Sequence, residues 1–442
     1  MTSNSALDAA IGQLLETLDR DRDFVVDLTQ RLLAYKSINP RFIDNPEISQ
    51  EVEIQQFLQG IMQEMGLETT IWDALPNRPN LVGRLGGNDT GRSLIFNGHI
   101  DVVPPGDENK WTKDPWGRDI QGGRLYGRGS YDMKGGIAAF VAATRAIQEA
   151  GINLAGRLEL HSVVDEEGGG GGTKAVIERG FLADAAIVAE PTDGAVLLAE
   201  GGLSWLRVTI AGRSAHAGWR YAQIYPQGRA DAPESHGVNA IDKGMKFLNA
   251  VRELEREWAL YKHHPLLPPG ITTINPGAIA AGVGLGQDGL PMVTTNPAMI
   301  PDVCVIDFDL KFLPTESFEQ VRQEFEEFVE AFARTDPWLK DNPPQLQWHL
   351  STINFPPVAT PVDHLLVQAI LETRRSLDLT TEISGFVAVT DAAFYAGAGV
   401  APVILGPSGS GLHGEDEYVE IDSLTETAKV FAGTILRWCG IT

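Results

Sequence analysis

The sequence predicts an α/β protein: a domain with a mainly parallel central sheet flanked by helices, plus an inserted small α+β domain. Three observations predict it. The chain has 442 residues, and single hydrophobic cores stop growing at about 250–300. Short apolar runs alternate with helix-period segments through the first 200 residues and again from about Asp363, the pattern of a layered domain with a parallel sheet. Between these stretches the character changes near Gly201. There Trp205, Arg207 and Thr209 alternate with Leu206, Val208 and Ile210, as in a strand with one wet face. The larger domain therefore spans 1–201 and 355–442, and the insert spans 202–354.

The elements follow in order. Residues 6–36 carry Leu7, Ile11, Leu14, Leu15, Leu18, Val25, Val26, Leu28, Leu32 and Leu33 at helical spacing. They predict one or two amphipathic helices ending at the Lys36-Ser37-Ile38-Asn39-Pro40 turn. Residues 49–65 form a further helix, with Ser49 as N-cap and Gly66 closing it. The runs 81–85, 94–96, 158–164 and 185–189 read as strands, and the Ala-rich stretch 135–150 reads as a helix. In the insert, 238–258 and the acidic stretch 317–335 are helices, and 302–312 and 345–350 are strands. Residues 263–270 and 282–286 read as loops. The larger domain resumes with a helix from 363 to 377, a strand at 402–405 and a final helix at 423–438.

Composition narrows the function classes. No window holds about 18 uninterrupted apolar residues, so no membrane span is expected. The N-terminus lacks a basic start followed by an apolar core, so it is not read as a secretory signal. The two cysteines, Cys304 and Cys439, show no metal spacing, which fits a reduced, cytoplasmic setting. The formal net charge of −24 argues against nucleic acid and anionic membranes as partners. Most of that charge reads as a solvated acidic surface. A small part reads as carboxylates awaiting a cation.

The chemistry-bearing residues stand at the ends of the apolar runs. His99 and Asp101 follow the run ending at Phe96. Asp165, Glu166 and Glu167 follow Val164, and Glu190 follows Ala189. Asp132 follows the Gly127-Arg128-Gly129-Ser130 turn, and His413 lies beyond the strand ending near Leu405. In a parallel α/β sheet, strand C-termini share one edge, where ligands bind. Alone, a His-x-Asp is more often a hydrogen-bonded pair, and two acids before five glycines more often a solvated turn. Five sequence-distant segments outweigh those readings. Imidazole and carboxylate suit Zn²⁺, and this set is too large for one tetrahedral zinc that keeps a water. It suits two metals about 3.5–4 Å apart sharing one carboxylate. Asp101 is placed to hold the second ring nitrogen of His99. Neighbouring side chains on an extended segment point opposite ways, so one of Glu166 and Glu167 can ligate while the other serves as general base. The glycine runs do not signal a nucleotide, since no G-x-G-x-x-G opens a helix after the first strand.

The motifs NGHIDVVP, WTKDPWG, LYGRGSYDMKGG, VDEEGGGGG, AEPT, GRSAHAG, TDAAFY and LHGEDEYV resemble those of the M20 family of metallopeptidases and deacylases. That family includes acetylornithine deacetylase, succinyl-diaminopimelate desuccinylase, aminoacylase and the glutamate carboxypeptidases. The resemblance runs almost end to end. It implies a catalytic domain carrying two Zn²⁺ per chain, with Co²⁺ or Mn²⁺ as alternatives, and an inserted lid/dimerisation domain. By resemblance, His99 and Glu190 hold one metal and Glu167 and His413 the other. Asp132 bridges them, with a cis bond to Met133, and Glu166 is the general base and acid. His216 is implied to reach across a homodimer and stabilise the oxyanion.

Two departures concern the substrate. Lys311 stands where many relatives have an arginine that grips a carboxylate, and lysine lacks the two-pronged grip. Ala298-Met299-Ile300-Pro301 matches a stretch that carries a substrate-contacting asparagine in relatives, with Asn296 as the nearest stand-in. Trp219, Arg220, Tyr221 and Tyr225 are candidates for lining the substrate entrance. The sequence therefore predicts a dinuclear zinc amidohydrolase for a small N-acyl amino acid or related amide. A dipeptidase or carboxypeptidase, or a hydrolase of another catabolic C–N bond, is the alternative within the enzyme class. A non-catalytic relative is disfavoured, because all six metal and base positions are filled.

Overall fold

The computed structural model describes residues 3–86, 90–220 and 237–442. The chain folds as two compact units, Met1–Glu200 with Val358–Thr442, and Gly201–Pro357. The second boundary falls three residues later than the sequence suggests, because Asn354–Phe355 pair with Ser204 and Leu203 of the second unit.

Among the described residues, the first unit is built on a nine-stranded sheet. Its centre is parallel: Leu158–Val163, Leu94–His99, Ala185–Val188 and Ala401–Ile404 run side by side in one direction. These four strands are short, and the first three are buried at every position, as parallel strands covered on both faces are. The flanks are different. Glu68–Leu75 and Arg78–Leu85 form an antiparallel hairpin, and Val196–Glu200 runs antiparallel to Ala401–Ile404. The sheet is thus mixed, parallel at its centre and antiparallel at its flanks. The reason is local: only Pro76 and Asn77 separate the two hairpin strands, and Asn77 adopts φ 58°, a connection too short for a parallel crossover.

The helices begin where polar caps and turns allow. The helix Glu51–Glu64 starts after Gln50, not Ser49, whose hydroxyl instead donates to the Ile38 carbonyl at 2.9 Å. Gly66, at φ 79°, closes that segment. The helix Gly135–Glu149 lies against the central strands through small residues, and Gly98 lets it approach: a Cβ there would sit 2.6 Å from Ile137. The C-terminal helix Ile421–Cys439 packs on the same helix and on the strand carrying His99. Phe431 meets Phe96 at a centroid distance of 4.7 Å, three residues before His99.

In the second unit, the antiparallel sheet runs Pro291–Val293, Ile274–Leu285, Val303–Phe312, Gly202–Ala211 and Gln345–Trp348. The helices Ala240–Tyr261 and Phe318–Arg334 bury Phe247, Trp258 and Phe325 against Leu206, Ile306 and Phe308. Ser317 and Gln320 close a capping box at the start of the second helix. Residues 282–285 are not a loop. Gly282 pairs with Val303 inside the long strand, where a Cβ would stand 2.2 Å from the Val293 carbonyl. Glycine there marks close backbone approach rather than a turn.

Phe431→Ala removes a wholly buried ring beneath the strand that carries His99. It is expected to lower stability by about 3–5 kcal/mol, measured as the shift of the denaturant midpoint at unchanged slope.

Candidate metal centre

The four parallel strands deliver the polar residues to one edge. His99 ends Leu94–His99, and Glu166 and Glu167 follow Leu158–Val163. Glu190 follows Ala185–Val188, and His413 lies beyond Ala401–Ile404. Asp132 comes from the turn that opens the helix Gly135–Glu149, after Gly129 at φ 85°. The Asp132–Met133 peptide is cis.

These side chains meet. Asp132 lies between the two histidines, its Oδ1 3.1 Å from His99 Nε2 and its Oδ2 3.2 Å from His413 Nε2. His99 Nε2 is 3.8 Å from Glu190 Oε1 and 3.9 Å from Glu166 Oε2. His413 Nε2 is 3.1 Å from Glu167 Oε2. Candidate ligand atoms gather in two overlapping groups: His99, Asp132 and Glu167, and His99, Glu166 and Glu190.

Asp101 acts differently from the sequence reading. The second nitrogen of His99, Nδ1, lies 2.9 Å from the backbone carbonyl of Asp101, and the carboxylate is 3.9 Å away. The Asp101 carboxylate instead accepts the backbone N–H of Glu166 at 3.2 Å and of Glu167 at 3.3 Å. One residue thus orients the ring of His99 with its main chain and the two-glutamate segment with its side chain.

The electrostatics suit divalent cations. Burial pushes the carboxyls of Glu166 and Glu190 well above their ordinary range; Glu190 adds to the rise of Glu166, and Asp132 adds to that of Glu190. Burial also pushes Glu167 up, with Asp132 adding to it. Asp132 is held below its usual range; its contacts with His413 and His99 overcome the burial that opposes this. Those same contacts, with Asp132 and Glu167, push His413 up to about 10. Four crowded carboxylates in a water-poor edge are costly as bare charges. An oxygen- and nitrogen-rich set of this kind fits two divalent metals.

The sequence profile of peptidase family M20/M25/M40 matches residues 95–437. The chain belongs to this family. It is similar to the N-formyl-4-amino-5-aminomethyl-2-methylpyrimidine deformylase of Halalkalibacterium halodurans, 32% identical over 98% of both chains. It is 29% identical to the succinyl-diaminopimelate desuccinylase of Thioalkalivibrio sulfidiphilus, over 93% of this chain and 98% of that one. A solved Bacillus subtilis structure, described as a dinuclear metal binding peptidase of family M20, shares the fold. Its TM-score is 0.61 at 14% identity, covering 94% of this chain and 97% of that one. As an M20 member the chain is a metal-dependent hydrolase of amide C–N bonds. No helix among the described residues is long and apolar enough to cross a membrane.

Three candidate residues of this M20 chain lie in the second unit. His216 is exposed, and its Nδ1 accepts the Gly218 N–H at 3.0 Å. Asn296 spends its side chain on its own turn, accepting the Ala298 N–H at 3.1 Å. Lys311 stands in Val303–Phe312 opposite Leu203. Trp219 is exposed, and Arg220 pairs with Asp242 at 3.0 Å. Tyr221 and Tyr225 lie outside the described residues.

Sequence reasoning missed the groups that hold the ligands. Glu417 is wholly buried; one of its carboxylate oxygens accepts the N–H of Gly129 at 3.0 Å, of Tyr131 at 3.0 Å and of Asp132 at 3.1 Å. The other contacts the buried Arg128 guanidinium. The available signal was opposite charge in two motifs, Arg128 in LYGRGSYD and Glu417 in LHGEDEYV. Asp391, in TDAAFY, is buried and accepts from Thr173 at 2.7 Å. Burial pushes its carboxyl up to about 7.

Glu417→Ala strands the Arg128 charge and frees three N–H groups around Asp132. It is expected to destabilise the fold by about 3–5 kcal/mol, read by chemical denaturation, and to lower metal content after dialysis.

Proposed function

We propose that this chain is a dinuclear zinc deacylase that removes a small acyl group from an N-acyl amine, with an N-formyl aminomethylpyrimidine as leading substrate. The observation that carries the dinuclear hydrolase reading is Asp132 suspended between His99 and His413, with Glu190, Glu167 and Glu166 within reach of the same histidines. The likeness to the deformylase, 32% identical along 98% of both chains, supports the formyl substrate. So does Lys311, because a formylated pyrimidine amine has no carboxylate for an arginine fork to hold. The second reading, an N-succinyl or N-acetyl amino acid, rests on the likeness to the desuccinylase.

In this reading His99 and Glu190 would hold one metal and Glu167 and His413 the other, with Asp132 within reach of both. The bound metals supply Lewis-acid polarisation of the acyl carbonyl. Glu166 takes a proton from the attacking water and delivers it to the leaving nitrogen as the C–N bond breaks. A burial-raised carboxyl suits that role, since it binds and releases a proton nearer neutral pH. The amine and the carboxylic acid are the products. His216 donates to the developing oxyanion in the site of a second subunit, so the active species is a homodimer joined through the insert. The two free, buried cysteines support a reducing cytoplasmic setting.

Wild type is expected to carry about two zinc per chain and to lose turnover with chelator. On a panel of the formylated pyrimidine, N-succinyl-diaminopimelate, N-acetylornithine and dipeptides, the formyl compound should have the highest kcat/KM. A preference for dipeptides would overturn the deacylase reading. Glu166→Gln should keep its metal and lose about 10²–10⁴ in kcat; retained turnover removes Glu166 as the base.

Mixing inactive His216→Ala with inactive Glu166→Gln should restore up to about a quarter of wild-type activity per hybrid pool, as random pairing leaves some sites with both groups. No recovery after verified subunit exchange rejects the trans role of His216.

A further inference from the structure

The turn 36–40 and the five-glycine run after Glu167 stand out in the sequence, and neither has a part in the proton transfer. They meet at one buried network. Asn39 is wholly buried. Its Nδ2 donates to Asp101 Oδ2 at 2.8 Å and to Asp165 Oδ1 at 3.2 Å. Its Oδ1 accepts the Arg41 N–H at 2.9 Å, which fixes the amide so that its donor faces both carboxylates. The turn itself is held by main-chain bonds, Asn39 N–H to the Val102 carbonyl at 3.0 Å and Val102 N–H to the Ser37 carbonyl at 2.9 Å.

Arg78 completes the network. It donates to Asp165 Oδ1 at 2.6 Å and grips Glu51 with two bonds of 2.6 and 2.8 Å. Asp101, Asp165 and Glu51 are all buried, and so is Arg78. The other cation, Arg41, reaches Asp165 Oδ2 at 2.9 Å from a side chain 42% exposed. Three buried carboxylates beside one buried guanidinium are tolerable only in a closed set of charge-assisted bonds. The glycine run wraps the same group: a Cβ at Gly168 would lie 2.4 Å from Asp165 Oδ1, and one at Gly171 2.7 Å from Oδ2. Asp165 itself is at φ 67°, and its carbonyl accepts the Gly170 N–H at 2.7 Å.

We infer that Asn39 and Arg78 are positioning residues for the Glu166–Glu167 pair. Asn39 ties the segment carrying Asp101 to the segment carrying Asp165, and Asp101 in turn holds the main-chain N–H groups of both glutamates. Asp165 precedes Glu166 directly, so both ends of the two-glutamate segment are tethered to the one amide. Arg78 holds the Asp165 carboxylate in place through its 2.6 Å bond. Neither residue touches the reacting atoms; both act through Asp101 and Asp165. A misplacement of about 1 Å in a catalytic group costs on the order of 10²-fold in rate. Loss of a group behind a metal ligand costs about 10–100-fold in metal affinity.

This inference rests on the roles proposed for Glu166 and Glu167, and the test separates the two. Asn39→Asp keeps the shape and replaces the bridging donor by a third acceptor. Arg78→Lys keeps the charge and loses the fork. Zinc affinity is measured by chelator competition for wild type and both variants, and kcat and KM on whichever amide wild type cleaves. Both variants are expected to weaken one of the two zinc sites by about 10–100-fold, with the other within about threefold. Their kcat should fall about 10–100-fold at a KM within about threefold. If wild type binds two zinc ions and Arg78→Lys matches it in affinity and kcat, the inference fails and the proposed function stands. If wild type binds no zinc, the proposed function falls and takes the inference with it.

Discussion

The constraint on which the structure depends is charge at the edge of the parallel strands. Asp132, Glu166, Glu167 and Glu190 are brought within reach of two histidines where burial pushes the glutamates up. Carboxylates are not gathered in such a place for stability, since each must shed water to go there. The arrangement becomes favourable when divalent cations supply the missing positive charge. Some of the acidic excess of the chain is therefore a property of the site, while the rest spreads over a solvated surface.

Holding those ligands takes a second layer of buried polar groups. Glu417 and Arg128 fix the Asp132 turn, and Asp101, Asn39, Asp165 and Arg78 fix the two-glutamate segment. Each set links segments far apart in the chain, so each works only when the sheet and its loops have closed. Apolar packing provides the platform beneath. Phe140 and Phe431 pack on Phe96 in the strand that ends in His99. Gly98 and Gly136 let the neighbouring helix come close. Rigidity at the strand end thus comes from rings below and ion pairs beside it.

The insert has a different design. Its sheet has one face against two helices and alternates dry and wet positions along Gly202–Ala211. Its polar candidates are spent locally in this chain, Asn296 on its own turn and His216 on Gly218. The candidate metal ligands of the M20 hydrolase site all come from the first unit.

The sequence by itself determined the residues at the strand ends. A parallel sheet places every strand's C-terminus on one edge, so His99, Glu166, Glu167, Glu190 and His413 were legible as neighbours from the order of apolar runs alone. The two-part organisation was legible from a change of period near Gly201. Only the tertiary structure decided the direction of the flanking strands, where a two-residue turn at Pro76-Asn77 forces an antiparallel hairpin. It alone showed that residues 282–285 are strand, because a glycine marks a close approach as readily as a turn. It alone assigned Asp101 its partners. A local spacing of two suggested a carboxylate on His99, but the carboxylate went to N–H groups more than sixty residues away. Arg78 and Asn39 carry no short motif, Asp165 and Glu417 lie inside motifs that do not name their partners, and the meaning of all four lies in pairings across the fold. Periodicity reports which face of an element is buried; it carries no information on which buried charges meet.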